Sequence, residues 1–278
     1  MTDFDTSIII PANNEEAWLG RCLAALLAQD AAAGVVEIVV VGNACTDGTV
    51  ALARSFVPAA EARGWRMVVL DLAEGGKLAA LNAGDRAASG RNRVYLDADI
   101  TCDPALLGQL RAALDTEAPR YATGRIAVAP ARSWVTRRYA AVWARLPFVT
   151  GGAVGAGLFA VNPAGRARWG EFPAIISDDT FVRLQFSPGE RLEVPARYHW
   201  PMVEGFSNLV RVRRRQDAGV TELQGLHPEL FGNEGKAPVT AGVLWRLARA
   251  VPLGLAVYLA VHVAVRLRPA SGGWTRGR

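Results

Sequence analysis

Short apolar runs alternate with segments of helical periodicity along the first hundred residues. The runs that predict buried strands lie at residues 7–10, 37–41, 66–70 and 93–96. Between them, apolar side chains recur at helical spacing, as at residues 16–27 and 77–88, and predict helices. This alternation is typical of an α/β protein whose mainly parallel sheet is covered by helices on both faces.

The pattern is looser after residue 100. Asp103 and Pro104 supply an N-cap and a first-turn proline, which predicts that a helix begins there. A glycine-rich stretch at residues 151–157 predicts a flexible loop. Further elements are predicted as a strand at 121–128, a helix at 134–144, a strand at 158–161 and a helix that begins at Asp178.

Composition indicates a folded protein with a full core. The chain has 278 residues, of which 51% are hydrophobic, enough for one large domain. Cys22, Cys45 and Cys102 lack the spacing of a zinc site or a disulfide framework, so we expect three structural thiols in a reducing compartment. Residues 1–6 lack the basic and apolar regions of a signal peptide, and we expect a cytoplasmic protein.

Positive charge is concentrated in the last quarter of the chain. The net charge is +5, and residues 211–278 hold eleven Lys or Arg against four Asp or Glu. No helix-turn-helix, zinc-knuckle or RNA-binding motif accompanies this block in the sequence. We therefore expect anionic lipid or a phosphate-bearing substrate as its partner, and no nucleic acid.

Two carboxylates follow the fourth predicted strand, in Asp97-Ala98-Asp99. Alternate residues at a strand end can direct both carboxylates at one divalent cation, and Mg²⁺ and Mn²⁺ prefer such hard oxygen ligands together with substrate phosphates. The same residues could instead cap a helix or be solvated. Their place after an apolar strand favours the metal site.

A second acidic pair, Asp178-Asp179, begins a predicted helix behind the glycine-rich stretch. One of these carboxylates could accept a proton from a substrate hydroxyl as a general base. The alternative is ordinary capping of the helix N-terminus.

Taken in order, five segments between about residues 5 and 220 resemble the family 2 glycosyltransferases of the GT-A fold. The family's Pro-x-x-Asn-Glu segment corresponds to Pro11-Ala12-Asn13-Asn14-Glu15, and its Asp-Gly-Thr turn to Asn43 to Thr49. Its Gly-Lys-x-x-Ala-Leu-Asn-x-Gly helix corresponds to Gly76 to Gly84. Its DxD corresponds to Asp97-Ala98-Asp99, and its Glu-Asp pair to Asp178-Asp179. The order and spacing of all five are more specific than any one of them.

The resemblance implies a donor site for a nucleoside-diphosphate sugar. It makes Asp99 the main ligand of Mn²⁺ or Mg²⁺, with Asp97 as a second ligand that also supports the nucleotide. Lys77 helps to neutralise the diphosphate, and Asp179, beside Asp178, is the catalytic base. The remaining implied donor contacts are Pro11, Ala12, Asn13, Glu15, Asn43, Asp47, Asn82, Ala98 and Arg215.

Two departures from the family pattern affect specificity. Gly42-Asn43 stands where the family usually has an acidic residue that contacts the base, so the nucleobase stays open, with UDP-sugar favoured and GDP-sugar an option. The Gln-x-x-Arg-Trp segment of polymerising members is reduced to Arg215, which predicts transfer of a single sugar. His199 is either a third metal ligand or a histidine packed among aromatic residues.

The C-terminal segment combines an apolar stretch with basic flanks. Residues 250–265 are uncharged and would span roughly 24 Å as a helix, short of a ~30 Å hydrocarbon core. An interfacial helix pair would suit this segment, with Trp245 and Tyr258 at headgroup depth. The arginines on anionic lipid would be Arg246, Arg249, Arg266 and Arg268. A strained span, packing in the soluble fold and a dimer contact are the alternatives.

The sequence therefore predicts a GT-A domain at residues 1–220 and a basic, apolar helical tail at 221–278. Residues 1–102 form the nucleotide-sugar half of the domain and 103–220 the acceptor half. The expected activity is inverting transfer of one sugar to a hydroxyl acceptor, lipid-linked or part of the cell envelope, at the inner face of the cell membrane. The alternatives are a nucleotidyltransferase of similar fold and a non-catalytic sugar-nucleotide or glycan-binding protein.

Overall fold

Four parallel strands lie where the apolar runs of the first half predict them. The computed structural model describes residues 4–267. Every residue of β1 and β2 is buried, as expected of strands covered on both faces. The four strands are adjacent in the order β3-β2-β1-β4 and comprise β1 (Thr6–Ala12), β2 (Val36–Asn43), β3 (Arg66–Leu72) and β4 (Asn92–Leu96).

The same sheet continues with four strands of mixed direction. Beyond β4 the order is β7-β6-β8-β5, with β7 antiparallel to both of its neighbours and β6 parallel to β8. These strands are β5 (Thr101–Cys102), β6 (Tyr121–Val128), β7 (Leu158–Val161) and β8 (Arg191–Trp200). The predicted mainly parallel α/β class is confirmed, and the antiparallel β7 joins its two halves.

Helices cover the sheet. In residues 4–267 they are α1 (Glu16–Leu27), α2 (Thr49–Ser55), α3 (Val57–Ala62), α4 (Lys77–Ala87), α5 (Leu106–Leu114), α6 (Trp134–Trp143), α7 (Pro147–Gly151), α8 (Pro163–Arg166), α9 (Asp178–Leu184), α10 (Phe206–Leu226), α11 (Ala241–Ala250) and α12 (Pro252–Leu267). One large core cluster packs α1 and α5 against the sheet, and a second, rich in aromatic side chains, includes α9. The two acidic motifs lie in the loop after β4 and at the start of α9.

The predicted start of α5 is wrong by two residues, since an N-cap at Asp103 places the first helical residue at Pro104. The helix begins at Leu106, after the cap residue Ala105, and Asp103 does not cap it. The Asp103 carboxylate instead accepts hydrogen bonds from the Arg197 amide and contacts His199 Nε2 at 3.0 Å. Tertiary partners on β8 have replaced the local capping bond.

The C-terminal helices pack beside α6 and α10. Tyr258 of α12 stacks on Tyr139 of α6 with 5.1 Å between ring centroids, and the backbone of Gly254 lies close to the Arg138 carbonyl. The boundary proposed at residue 220 falls inside α10, which is continuous through it. The expectations for residues 1–3 and for Arg268 lie outside the described part of the chain.

Among residues 4–267, no helix is both long enough and apolar enough to cross a bilayer.

Candidate active site

The loops that follow β1, β2 and β4 converge on a cleft of about 620 Å³. This is the carboxyl edge of the parallel strands, where open α/β sheets bind ligands. Helix α10 contributes Val212, Arg215 and Gln216 to the lining of the cleft. Eight of the predicted site residues line it, namely Glu15, Asp47, Lys77, Asp97, Asp99, Asp178, Asp179 and Arg215.

Lys77 joins the two acidic motifs at the centre of the cleft. Its Nζ lies 3.0 Å from Oδ1 of Asp97 and 3.0 Å from Oδ2 of Asp178. Desolvation alone would lower the pKa of Lys77, but the carboxylates of Asp178 and Asp97 outweigh it and raise the pKa above its ordinary value. The ammonium is therefore charged throughout the physiological range.

The Asp178-Asp179 pair begins α9, as the sequence predicts. Asp178 is buried and faces Lys77, whereas Asp179 is half-buried and accepts a hydrogen bond from the Thr180 amide at 2.6 Å. Burial and the neighbouring charge of Asp178 raise the pKa of Asp179, against the opposing charge of Lys77. A raised pKa makes this carboxylate a stronger proton acceptor than an exposed aspartate.

Asp97 and Asp99 direct their carboxylates to one side of the loop after β4. Both line the cleft, and Ala98 between them is buried in the core beneath the sheet edge. The Asp97 amide donates to the Gly157 carbonyl at 2.8 Å, which ties this loop to the glycine-rich stretch. Gly157 has φ +74°, a conformation that favours glycine.

The donor set of the cleft fits a divalent cation that a substrate phosphate completes. Within residues 4–267, no group of three or more His, Cys, Asp or Glu side chains is arranged to hold a metal ion. Mg²⁺ and Mn²⁺ are commonly bound by one or two carboxylates together with phosphate oxygens and water. Asp97 and Asp99 supply that number of hard oxygen ligands.

The loops after β1 and β2 are bound to each other at the far end of the cleft. Asp47 accepts hydrogen bonds from the Glu16 amide and from the amide and hydroxyl of Thr49, and the same hydroxyl accepts from the Glu15 amide at 2.7 Å. Partial desolvation would raise the pKa of Asp47, but these hydrogen bonds outweigh it and lower the pKa. Glu15 and Asp47 thus form a fixed acidic rim.

Asn43 holds the scaffold together and does not face the cleft. Its side chain is 5% exposed, donates to the Ala12 carbonyl at 3.2 Å and accepts from the Gly76 amide at 2.8 Å. Asn13 donates to the backbone carbonyls of Asn43 and Ala44, and Pro11 and Ala12 are buried in β1. These contacts shape the loops, and contact of the four residues with a nucleotide stays a prediction.

Asn82 is likewise a scaffold residue. Its amide group accepts from the Phe172 amide at 2.7 Å and donates to the Phe172 carbonyl at 3.2 Å. The segment that it holds leads into Ser177 and Asp178. These two bonds fix the approach to the acidic pair, and contact of Asn82 with the donor stays a prediction.

His199 points away from the cleft. Successive side chains of a strand face opposite sides, and Trp200, the next residue of β8, lines the cleft. The His199 ring contacts Asp103 instead, at 3.0 Å from Nε2. In the described chain His199 does not line the cleft with Asp97 and Asp99, and its role as a third metal ligand stays a prediction.

The cleft also contains Asn14, the asparagine of the Pro-x-x-Asn-Glu segment, and two tryptophans that the sequence motifs did not single out. Asn14 has φ +52°, a backbone conformation in which asparagine is enriched. Its side chain accepts a hydrogen bond from the Thr46 amide at 2.6 Å. Trp18 and Trp200 supply aromatic walls. Trp18 fits the helical periodicity of a core position, so the only available signal was its place three residues after the Pro-x-x-Asn-Glu segment.

The fold and the site together define a GT-A type α/β protein. The sequence model of glycosyl transferase family 2 matches residues 7–167, which are more than half of the chain. The chain therefore belongs to this family. The match removes the basis for the nucleotidyltransferase alternative.

A curated relative and several solved structures are similar to this chain. Glycosyltransferase AglE of Haloferax volcanii is 34% identical over 98 residues, which are 35% of this chain and 31% of AglE. The match therefore spans about a third of that relative.

Two solved structures show the same fold over nearly the whole chain. Mannosyltransferase PcManGT of Pyrobaculum calidifontis, in complex with GDP-Man and Mn²⁺, has a TM-score of 0.58 at 22% identity and is matched over 98% of this chain and 77% of its own. S. aureus TarS in complex with UDP-GlcNAc has a TM-score of 0.55 at 14% identity, over 95% of this chain and 92% of its own. At these identities the likeness establishes the fold.

Proposed function

We propose that this protein transfers a single sugar from a nucleoside-diphosphate sugar to a hydroxyl acceptor, with inversion at the anomeric carbon. The observation that carries the proposal is the meeting of Asp97, Lys77 and Asp178 at distances of 3.0 Å in a cleft that Asp99 and Asp179 also line. Family membership and the bound GDP-Man and UDP-GlcNAc of the similar structures favour a guanosine or uridine donor.

The donor half of the cleft is suited to hold and neutralise a diphosphate. Asp99 and Asp97 would hold Mn²⁺ or Mg²⁺, which when bound stabilises the charge that develops on the leaving nucleoside diphosphate. Lys77 and Arg215 place two cationic side chains in the same cleft. They would hold the phosphates and stabilise the developing charge without proton transfer.

The acceptor half provides the base. Asp179 takes the proton of the acceptor hydroxyl as its oxygen bonds to the anomeric carbon and the bond from that carbon to the diphosphate oxygen breaks. The proton ends on the Asp179 carboxyl and the negative charge on the released diphosphate. One in-line displacement inverts the anomeric centre, and no covalent intermediate with the protein is required.

Several apolar side chains line the cleft together with the acidic pair. Among them are Ile176, Trp200, Val203 and Val212. Tryptophan presents a flat apolar face with a polar edge, which suits stacking on a sugar ring, and the aliphatic residues suit a lipid-linked acceptor. We therefore favour a lipid-linked or cell-envelope glycan acceptor.

The activity test combines a transfer assay with the anomeric configuration of the product. The protein, with Mn²⁺, is incubated with UDP-Glc, UDP-GlcNAc or GDP-Man and a panel of polyprenyl-phosphate and short glycan acceptors, and the product anomer is read from its proton NMR coupling. We expect one donor to give a product of opposite anomeric configuration. A product of unchanged configuration would contradict the mechanism, and donor binding without turnover by any acceptor would support the non-catalytic alternative.

A further inference from the structure

Helix α12 has one buried face and one apolar face without a protein partner in the described chain. Gly254 and Val261 are buried beside α6, whereas the outer face is formed by residues that recur at helical spacing. Together with two residues of α11 they form what we call the C-terminal apolar surface, and their exposed fractions are Leu244 38%, Trp245 60%, Leu253 57%, Leu259 45%, Val263 55% and Leu267 76%. Exposed apolar surface of this kind marks an interaction site.

The charges around this surface identify its partner. Arg246, Arg249 and Arg266 are exposed on the same two helices, and the Arg249 guanidinium lies 4.6 Å from the Trp245 ring centroid. After Glu234 the sequence contains seven Lys or Arg and no acidic residue. A second copy of the chain would place these cations against each other, whereas an anionic surface complements them.

We propose that the C-terminal apolar surface binds the interface of an anionic lipid bilayer, with α11 and α12 lying on the membrane. Trp245, Leu253 and Leu267 would enter the headgroup and acyl boundary, and the three arginines would meet lipid phosphates or carboxylates. Tyr258, which the sequence places at headgroup depth, is stacked on Tyr139 inside the protein and is not part of this surface.

The surface is linked to the cleft through α10. Val212 and Arg215 of α10 line the cleft, and the intervening Arg214 donates to the carbonyls of Ala264 and Val265 in α12. Packed helices lie about 8–10 Å apart. The bilayer would therefore be separated from the cleft by α10 and α12, close enough to supply a lipid-linked acceptor. This last step rests on the proposed function, whereas lipid binding itself does not.

Vesicle co-flotation tests the binding directly. The full chain is floated with phosphatidylcholine vesicles and with vesicles in which about a third of the lipid is phosphatidylglycerol, at low and high salt. We expect binding to the anionic vesicles that weakens with salt. Replacing Arg246, Arg249 and Arg266 together by Gln should weaken binding about a hundredfold, at about fivefold for each arginine. The matched control replaces the exposed Arg54, Arg86 and Arg91 by Gln and should leave binding unchanged.

A second pair of variants separates the apolar contribution from the charge. The double substitution Leu253→Glu and Val263→Glu should reduce binding more than about tenfold. Leu226→Glu is the control, because Leu226 is 59% exposed on α10 and lies outside the surface. Circular dichroism and thermal unfolding show whether each variant is folded. If a variant is not folded, the proposal is tested by the salt and lipid comparisons on the unmodified chain.

Two results would overturn the proposal. One is equal binding of the unmodified chain to both kinds of vesicle, or to neither. The other is the detection of a dimer by analytical ultracentrifugation, with no binding to vesicles. If the double substitution Leu253→Glu and Val263→Glu dissociated that dimer, the surface would contact a second copy of the chain. Transfer activity is not read in this experiment, so its outcome is independent of the proposed reaction.

Discussion

The ammonium nitrogen of Lys77 lies 3.0 Å from a carboxylate oxygen of Asp178, although 101 residues separate them in the chain. Lys77 begins α4, and Asp178 begins α9. The same nitrogen contacts Asp97 at 3.0 Å. One cation therefore connects the carboxylate proposed to hold the metal with the pair proposed to supply the base.

Removing the charge of Lys77 should change the pH dependence of the reaction. The ammonium opposes the raised pKa of Asp179. In Lys77→Met that opposition is lost, the pKa rises further, and the acid limb of kcat moves to higher pH because the base must be deprotonated to act. We also expect kcat/KM to fall about a hundredfold through lost stabilisation of the diphosphate.

The control for this prediction is Lys77→Arg, which keeps the charge. Its acid limb should stay near that of the unmodified protein, with a smaller loss of activity. An acid limb that is unmoved in Lys77→Met would show that Lys77 does not influence the base.

Asp179→Asn should separate catalysis from donor binding. The amide cannot accept the hydroxyl proton as the carboxylate does, so we expect kcat to fall about a thousandfold while the affinity for nucleoside diphosphate changes little. Steady-state kinetics and calorimetry measure the two quantities. A variant that keeps its kcat would remove Asp179 from the role of base, and Asp178→Asn would be the next candidate to test.

The ion pair between Arg183 and Glu234 should stabilise the helix that carries the acidic pair. Arg183 on α9 is 4% exposed and lies 2.5 Å from a carboxylate oxygen of Glu234. Glu234→Gln leaves a buried guanidinium without its counter-charge, so we expect the free energy of unfolding to fall by about 2–3 kcal/mol. Denaturant unfolding measures this change.

A matched control exists on the surface. Glu171 pairs with Arg86 at 2.7 Å, but the two side chains are 72% and 64% exposed. Glu171→Gln should therefore cost less than about 0.5 kcal/mol. Equal losses in the two variants would show that burial does not strengthen the pair with Arg183.

Asn43→Ala tests the scaffold role assigned to Asn43. The change removes the hydrogen bonds to the Ala12 carbonyl and from the Gly76 amide. We expect a loss of about 1–3 kcal/mol in the free energy of unfolding, because buried backbone groups lose their partners. The ratio of UDP to GDP affinity should stay constant. A changed ratio of UDP to GDP affinity with unchanged stability would support the predicted contact of Asn43 with the nucleobase.

Local pattern was sufficient for β1 to β4 and for the position of the acidic motifs, because these depend on buried apolar runs, on the end of β4 and on the start of α9. It was insufficient for β8, whose charged residues and Pro195 obscure the alternation. Without that strand, the sequence offered His199 as a ligand, whereas alternation along β8 places Trp200 in the cleft.

The asparagines show a second limit. Asn43 and Asn82 lie in the motifs that the family shares, and the sequence assigned them to the donor. Their partners, Gly76 and Phe172, are 33 and 90 residues away, so only the folded chain reveals that both amides bind backbone. A motif identifies residues that a site needs, but tertiary contacts decide whether they bind the ligand or build the loops.

The most direct test of the donor site is calorimetric titration with UDP, GDP, CDP and dTDP, each with and without Mn²⁺. The titrations use the unmodified protein, Asp99→Ala, and Asp103→Ala as a control whose carboxylate contacts His199 outside the cleft. We predict Mn²⁺-dependent binding of one diphosphate that Asp99→Ala loses and Asp103→Ala keeps. Absence of binding by every diphosphate, or equal binding by Asp99→Ala, would contradict the donor site described above.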